Sequence, residues 1–126
     1  MKTVVTSPAA PAAIGPYSQA IRADRLLFIS GQTPLDPATG KLVPGGPAEQ
    51  AEQCLKNLSA ILAEAGGKLE DVVKATVFLT DMAHFAAVNE VYARYFAQPF
   101  PARSCVAVKA LPLACLVEVE VIALLA

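Results

Sequence analysis

Apolar and polar residues alternate most regularly at two places along this 126-residue chain. Val73, Ala75, Val77 and Leu79 fall at every second position, which is one face of a strand. Near the C-terminus Val117, Val119 and Val121 point one way while Glu118 and Glu120 point the other, again with a period of two. Two further short strands are predicted from Tyr17 to Arg22 and from Leu26 to Ser30, joined by the polar turn Ala23-Asp24-Arg25. A strand from about Arg103 to Lys109 precedes the last one, which runs from about Leu116 to Leu124.

Elsewhere the period lengthens. Leu55, Leu58, Leu62 and Ala65 recur at helical spacing, and Pro47 and Glu49 suit the first turn of that helix. Gly66-Gly67 ends it. Asp81 is a candidate N-cap for a second helix carrying Phe85, Val88, Tyr92, Tyr95 and Phe96, stopped by Pro99 and Pro101. The segment GQTPLDPATGKLVPGGP between the second strand and the first helix reads as loop.

The order is therefore ββαβαββ, an α+β chain forming one domain over residues 1–126. With only two helices for a sheet of about six strands, both are expected on the same face. The other face, holding much of LLFIS and VEVEVIALLA, is too apolar to stay in water, so closed self-association is expected to cover it.

Composition sharpens this picture. The chain is 55% hydrophobic, with a mean hydropathy of +0.48, yet Pro112, Glu118 and Glu120 interrupt its most apolar tail, and a membrane span needs about 20 apolar residues. Pro8 and Pro11 break the N-terminal run, so no secretory leader is expected and a cytoplasmic location is. The net charge of −1 lacks the clustered Lys and Arg of a nucleic-acid footprint. Three cysteines without CxxC spacing and one histidine argue against a zinc site. Cys54 and Cys115 read as buried thiols, and Cys105 shares a strand face with Arg103.

Four features break the apolar pattern. Arg103 enters a turn-then-strand segment, FPARSCVAV, where a permanent charge beside a core needs an anion. Glu118 and Glu120 project together from the last strand. Asn89 falls on the apolar stripe of the second helix. GPYSQA and SGQ bring Tyr17, Ser30, Gly31 and Gln32 to strand ends. Each has a structural alternative: Arg103 paired with Glu118 or Glu120, Asn89 bonded to a nearby carbonyl, the hydroxyls satisfying local backbone, and His84 simply solvated. Taken together they describe a site for a small carboxylic acid, with a guanidinium to hold the carboxylate and a glutamate to hold a water, without metal or cofactor.

The segments APAAIGPYSQA, LLFISGQTPLDPATGKLV, FPARSCVAV and VEVEVIA, with the intervening helices, resemble the reactive intermediate deaminase (Rid, YjgF-like) family and its archetypal imine deaminase branch. The resemblance implies a chorismate-mutase-like sheet with two helices on one face, assembled as a homotrimeric barrel with sites between subunits. It also implies hydrolysis of 2-imino and enamine acids, such as 2-aminoacrylate and 2-iminobutanoate, to 2-oxo acids and ammonia. On the matching motifs Arg103 would bind the carboxylate and Glu118 would position the water. Tyr17, Ser30, Gly31, Asn89 and Cys105 would line the pocket. No cofactor, nucleic acid or membrane is implied.

One segment departs from the family's pattern. Before the last strand relatives commonly carry a basic residue followed by glycine, where this chain has Leu113, Ala114 and Cys115. Two rival functions remain at this point: a non-catalytic trimer that binds 2-oxo acids or similar metabolites, and a ribonuclease or translation inhibitor.

Overall fold

The computed structural model describes residues 1–126 as an α+β fold built on one mixed six-stranded sheet. The strands are β1 (Lys2–Val5), β2 (Ala20–Ala23), β3 (Leu26–Gln32), β6 (Val72–Leu79), β7 (Ala102–Ala107) and β8 (Val117–Leu124), and a separate two-residue hairpin pairs β4 (Leu35–Asp36) with β5 (Lys41–Leu42). Across the sheet the order is β1-β2-β3-β8-β6-β7. All pairs are antiparallel except β6 with β7, which are joined by a helix as parallel neighbours must be.

Helix α1 (Pro47–Glu64) begins as its sequence predicts, with Pro47 in the first turn and the Gly46 N–H donating to Glu49 Oε1 at 2.8 Å. It ends in a two-bond glycine cap: Gly67 N–H donates to Leu62 O at 2.8 Å and Gly66 N–H to Ala63 O at 3.0 Å, with Gly66 at φ 79. Helix α2 spans Phe85–Tyr95. Asp81 does not cap it directly. Its carboxylate accepts from Ala83 N–H at 2.8 Å and starts a short 3-10 turn, Met82–His84, which leads into the helix. Phe96 lies just past the helix end but stays buried, stacked on Tyr92 with centroids 4.4 Å apart.

Both helices pack against each other and lie on one face of the sheet. Leu55, Leu58, Ile61 and Leu62 of α1 meet Leu27, Ile29, Val77, Val117, Val119 and Val121 in a single core. Each such side chain contributes about 1.5–3 kcal/mol by leaving water. Three buried amides tie loops to this core. Gln19 accepts from Ser7 N–H at 2.6 Å and donates to Pro11 O at 2.7 Å. Asn57 donates to Thr33 O and Leu35 O, and Gln50 accepts from Leu116 N–H at 2.7 Å. Gln50, Cys54, Asn57 and Ile61 follow one helical stripe, so the pattern contained these amides as polar members of a buried face.

The opposite face carries no helix. Leu26, Phe28, Val106 and Leu124 stand exposed on it, as the apolar content of LLFIS and VEVEVIALLA anticipates. Three details differ from the sequence reading. The first predicted strand starts at Ala20, leaving Tyr17 in the preceding loop. The edge strand β1 had no alternation to reveal it, and the Gly/Pro-rich loop contains the β4–β5 hairpin. No helix is long and apolar enough to cross a membrane.

Candidate functional site

Strand register decides where the candidate residues go. Ala75 pairs with Arg103 and Val77 with Cys105, which puts Arg103 and Cys105 on the helix-covered face. Phe78 pairs with Glu118 and Thr76 with Glu120, which puts both carboxylates on the bare face. Arg103 therefore does not pair with Glu118 or Glu120 within the chain, and it makes no salt bridge at all. Its guanidinium donates to Asn89 Oδ1 at 2.8 Å and sits 4.7 Å from the Tyr92 ring centroid and 5.7 Å from that of Phe85. A cation held against two aromatic faces is stabilised without being neutralised.

Asn89 departs from its expected place. It is exposed rather than part of the buried stripe, and its oxygen accepts from Arg103 instead of its amide bonding a backbone carbonyl. Together Asn89, Tyr92, Phe100, Pro101 and Arg103 line a cavity of about 290 Å³ at the sheet edge formed by β7. Burial pushes the Tyr92 phenol up, an effect the Arg103 charge opposes. The Tyr92 hydroxyl is buried without a hydrogen-bond partner.

The second group forms around Glu118. Tyr17, Ser30, Gly31, Glu118 and Glu120 line one cavity of about 600 Å³. At Gly31 the pairing of β3 with β8 is irregular, the register shifting between Ile29 and Gln32. There the backbone lies so close to the Glu118 side chain that a Cβ on residue 31 would stand 2.8 Å from its carboxyl carbon. Only glycine leaves that space. Glu118 is pushed above the ordinary carboxylate range, first by burial and then by the charge of Glu120.

The remaining hydroxyls behave more locally. Ser30 Oγ donates to Ser18 O at 2.7 Å, satisfying backbone as the structural alternative holds. Tyr17 is exposed and its hydroxyl accepts from Ile14 N–H at 3.3 Å, closing the loop that borders the cavity. Cys105 lies near Arg103 but is pushed up by burial, so its thiol is not activated. Cys54 and Cys115 are buried and free, both donating to Val117 O. His84 is not simply solvated: it is half-buried, with Nδ1 lacking a partner. No group of three or more His, Cys, Asp or Glu side chains is arranged to hold a metal. The pattern did not single out Ile14, which lines the Glu118 cavity as an exposed apolar residue between prolines.

The chain thus presents a free cation in one cavity and a carboxylate in another, on opposite faces of one sheet. Comparison with known proteins supplies the context. Residues 7–125 match the family described as Endoribonuclease L-PSP. The 2-iminobutanoate/2-iminopropanoate deaminase of Mus musculus is 53% identical over 123 residues, covering 98% of this chain and 91% of its own. That of Homo sapiens is 48% identical over 124 residues, covering 98% and 90%. Among solved structures, RidA from the Antarctic bacterium Psychrobacter sp. matches with a TM-score of 0.94 at 45% identity, over 98% of this chain and 99% of that one. TdcF of E. coli with bound serine also reaches 0.94, at 41% identity and over the same shares of the two chains. This chain belongs to the Rid (YjgF-like, L-PSP) family.

Proposed function

We propose that this protein is a homotrimeric hydrolase that converts 2-imino and enamine acids, such as 2-iminobutanoate and 2-aminoacrylate, to 2-oxo acids and ammonia. The observation that carries this reading is Arg103, a half-buried cation that faces a cavity with no carboxylate of its own chain to neutralise it. The substrate carboxylate is the anion it awaits, taken through two parallel N–H···O bonds. Asn89 and the Tyr92 ring hold the guanidinium in place beforehand. The relatives' names support the reaction, and the serine bound to TdcF supports a small amino or imino acid as the ligand.

The catalytic partner is Glu118 of a second copy. Within one chain the sheet separates it from Arg103, while β7 is an edge strand and the bare face is apolar, so association can bring the two cavities together. The Arg103 side fixes the carboxylate, Tyr17, Ser30 and Gly31 shape the opposite wall, and Cys105 stays a bystander on the Arg103 strand. Glu118 aligns a water on the imine carbon. The water's oxygen bonds to that carbon as the C=N electron pair moves to nitrogen, giving a carbinolamine. Proton transfer to nitrogen and collapse then release ammonium and leave the 2-oxo acid. Imines hydrolyse unaided, so positioning supplies most of the acceleration.

The family description also names an endoribonuclease, but the chain's one histidine, His84, lines neither cavity. The test is competition for an imine released by a serine or threonine dehydratase, with semicarbazide as the trap. Wild type should outrun the trap. Arg103→Ala and Glu118→Ala, each confirmed as a trimer, should lose about 10² to 10³ in kcat/KM. Wild type that never competes with the trap, on small or bulky imines, would sink the proposal in favour of a metabolite-binding trimer.

A further inference from the structure

All 2-imino acids share a carboxylate and a C=N bond and differ only in the side chain on the imine carbon. Arg103 and Glu118 address the shared atoms, so discrimination among substrates falls to other walls of the site. We propose that Leu113, with Ile14 facing the same space, forms an apolar subsite for that side chain. The protein would then favour 2-imino acids bearing branched aliphatic or aromatic groups over the three-carbon member. This inference rests on the imine hydrolase reading and names its substrate class.

Exposure, backbone geometry and cavity volume carry it. Leu113 is 60% exposed and Ile14 is 78% exposed, and both line the cavity that holds Glu118. Apolar side chains in water beside a half-buried carboxylate are in place to meet an apolar group that arrives with the ligand. Leu113 is also held out from the core. Ala114 N–H donates to Leu111 O and Cys115 N–H to Pro112 O, both at 3.2 Å, while Cys115 is fully buried with its thiol on Val117 O. Finally, Leu113 and Ala114 take φ of 58 and 56, two consecutive left-handed positions occupied by residues with a Cβ. Glycine would hold this turn with less strain. A leucine kept there places an isobutyl group at the cavity mouth. The cavity's volume of about 600 Å³ exceeds what a three-carbon acid fills.

The test uses the full-length protein with imino acids made in situ from leucine, phenylalanine and alanine by an amino-acid oxidase with catalase, against semicarbazide. The readout is the ratio of kcat/KM for leucine-derived to alanine-derived imine. Wild type is expected to favour the leucine product by about ten-fold, and L113K and L113G to lose about that factor, mostly in KM. L113M should keep it. Glycine suits φ 58, so L113G removes the side chain without endangering the turn. A ratio unchanged in both L113K and L113G, with turnover intact, overturns the subsite and leaves the hydrolase standing. An unchanged ratio with weakened self-association does the same and assigns Leu113 to packing between copies. Absence of turnover on every imine removes both readings together.

Discussion

The two faces of the sheet are built to opposite rules. The helix-covered face is sealed by interdigitated aliphatic side chains, and its one charge of note, Arg103, emerges at the edge where α2 leaves a gap. The bare face has no cover, and its polar residues, Lys74, Thr76, Glu118 and Glu120, sit among exposed Phe28 and Leu124 and half-buried Ile122. On the first face a cation is held rigidly and has no anion. On the second a carboxylate is half-buried and has no cation. Neither charge is met within the chain, which is the arrangement expected when a ligand and a second copy together complete the site.

Mixing variants breaks or confirms that division with the largest effect. The Arg103→Ala and Glu118→Gln proteins should each be nearly inactive. Unfolded together and refolded at equal amounts, they should recover about one quarter of wild-type turnover, the share of interfaces where an intact Arg103 meets an intact Glu118. Turnover staying at the level of the separate variants would show that both residues act from one chain, against the register of β6 with its two neighbours.

How much of this was visible beforehand follows the range of the interactions. The strand at Val73–Leu79, the Val/Glu alternation at the C-terminus and the first helix with its Pro47 start and Gly66 stop were all read from local pattern. The uncovered apolar face followed from counting helices against strands. The separation of Arg103 from Glu118 did not. Alternation tells which residues of one strand share a face, but not which face of β7 matches which face of β8. That depends on pairing Val77 with both Cys105 and Val119, partners distant in sequence. Asn89 misled for a related reason: helical spacing placed it on the apolar stripe, and only the position of β7 shows that the stripe ends beside Arg103. The role of Gly31 depends on the β3–β8 irregularity, which no local signal announces.

Gly31 offers the next largest test. Substituting alanine drives a Cβ against the Glu118 carboxyl, whose side chain is flexible enough to swing away. Gly31 has no positive φ, so its backbone tolerates the change. The expected outcome is a protein of nearly wild-type stability and unchanged assembly whose kcat falls by about 10², because the water is no longer aimed at the imine carbon. A Gly31→Ala/Glu118→Gln protein no slower than Glu118→Gln alone would support action through Glu118. Additive losses would place Gly31 in substrate binding instead.

The smallest effect isolates the electrostatics of the bare face. Glu118 is pushed up first by burial and then by Glu120, so its carboxylate forms only at higher pH than an ordinary glutamate. If the carboxylate form aligns the water, kcat/KM must rise with pH through that titration, giving an acid limb. Glu120→Gln removes the second cause and keeps the first. The limb should therefore move to lower pH without returning to the ordinary carboxylate range. Stability has the opposite sign. A carboxyl whose folded pKa is raised contributes its stability below the unfolded pKa and loses it as pH rises through the folded one, and Glu120→Gln should shrink that loss. Both proteins see the same substrate, so titration of the imine cancels in the comparison. A limb that stays fixed while the stability profile shifts would mean that Glu118 ionises as described but that its charge does not set the rate.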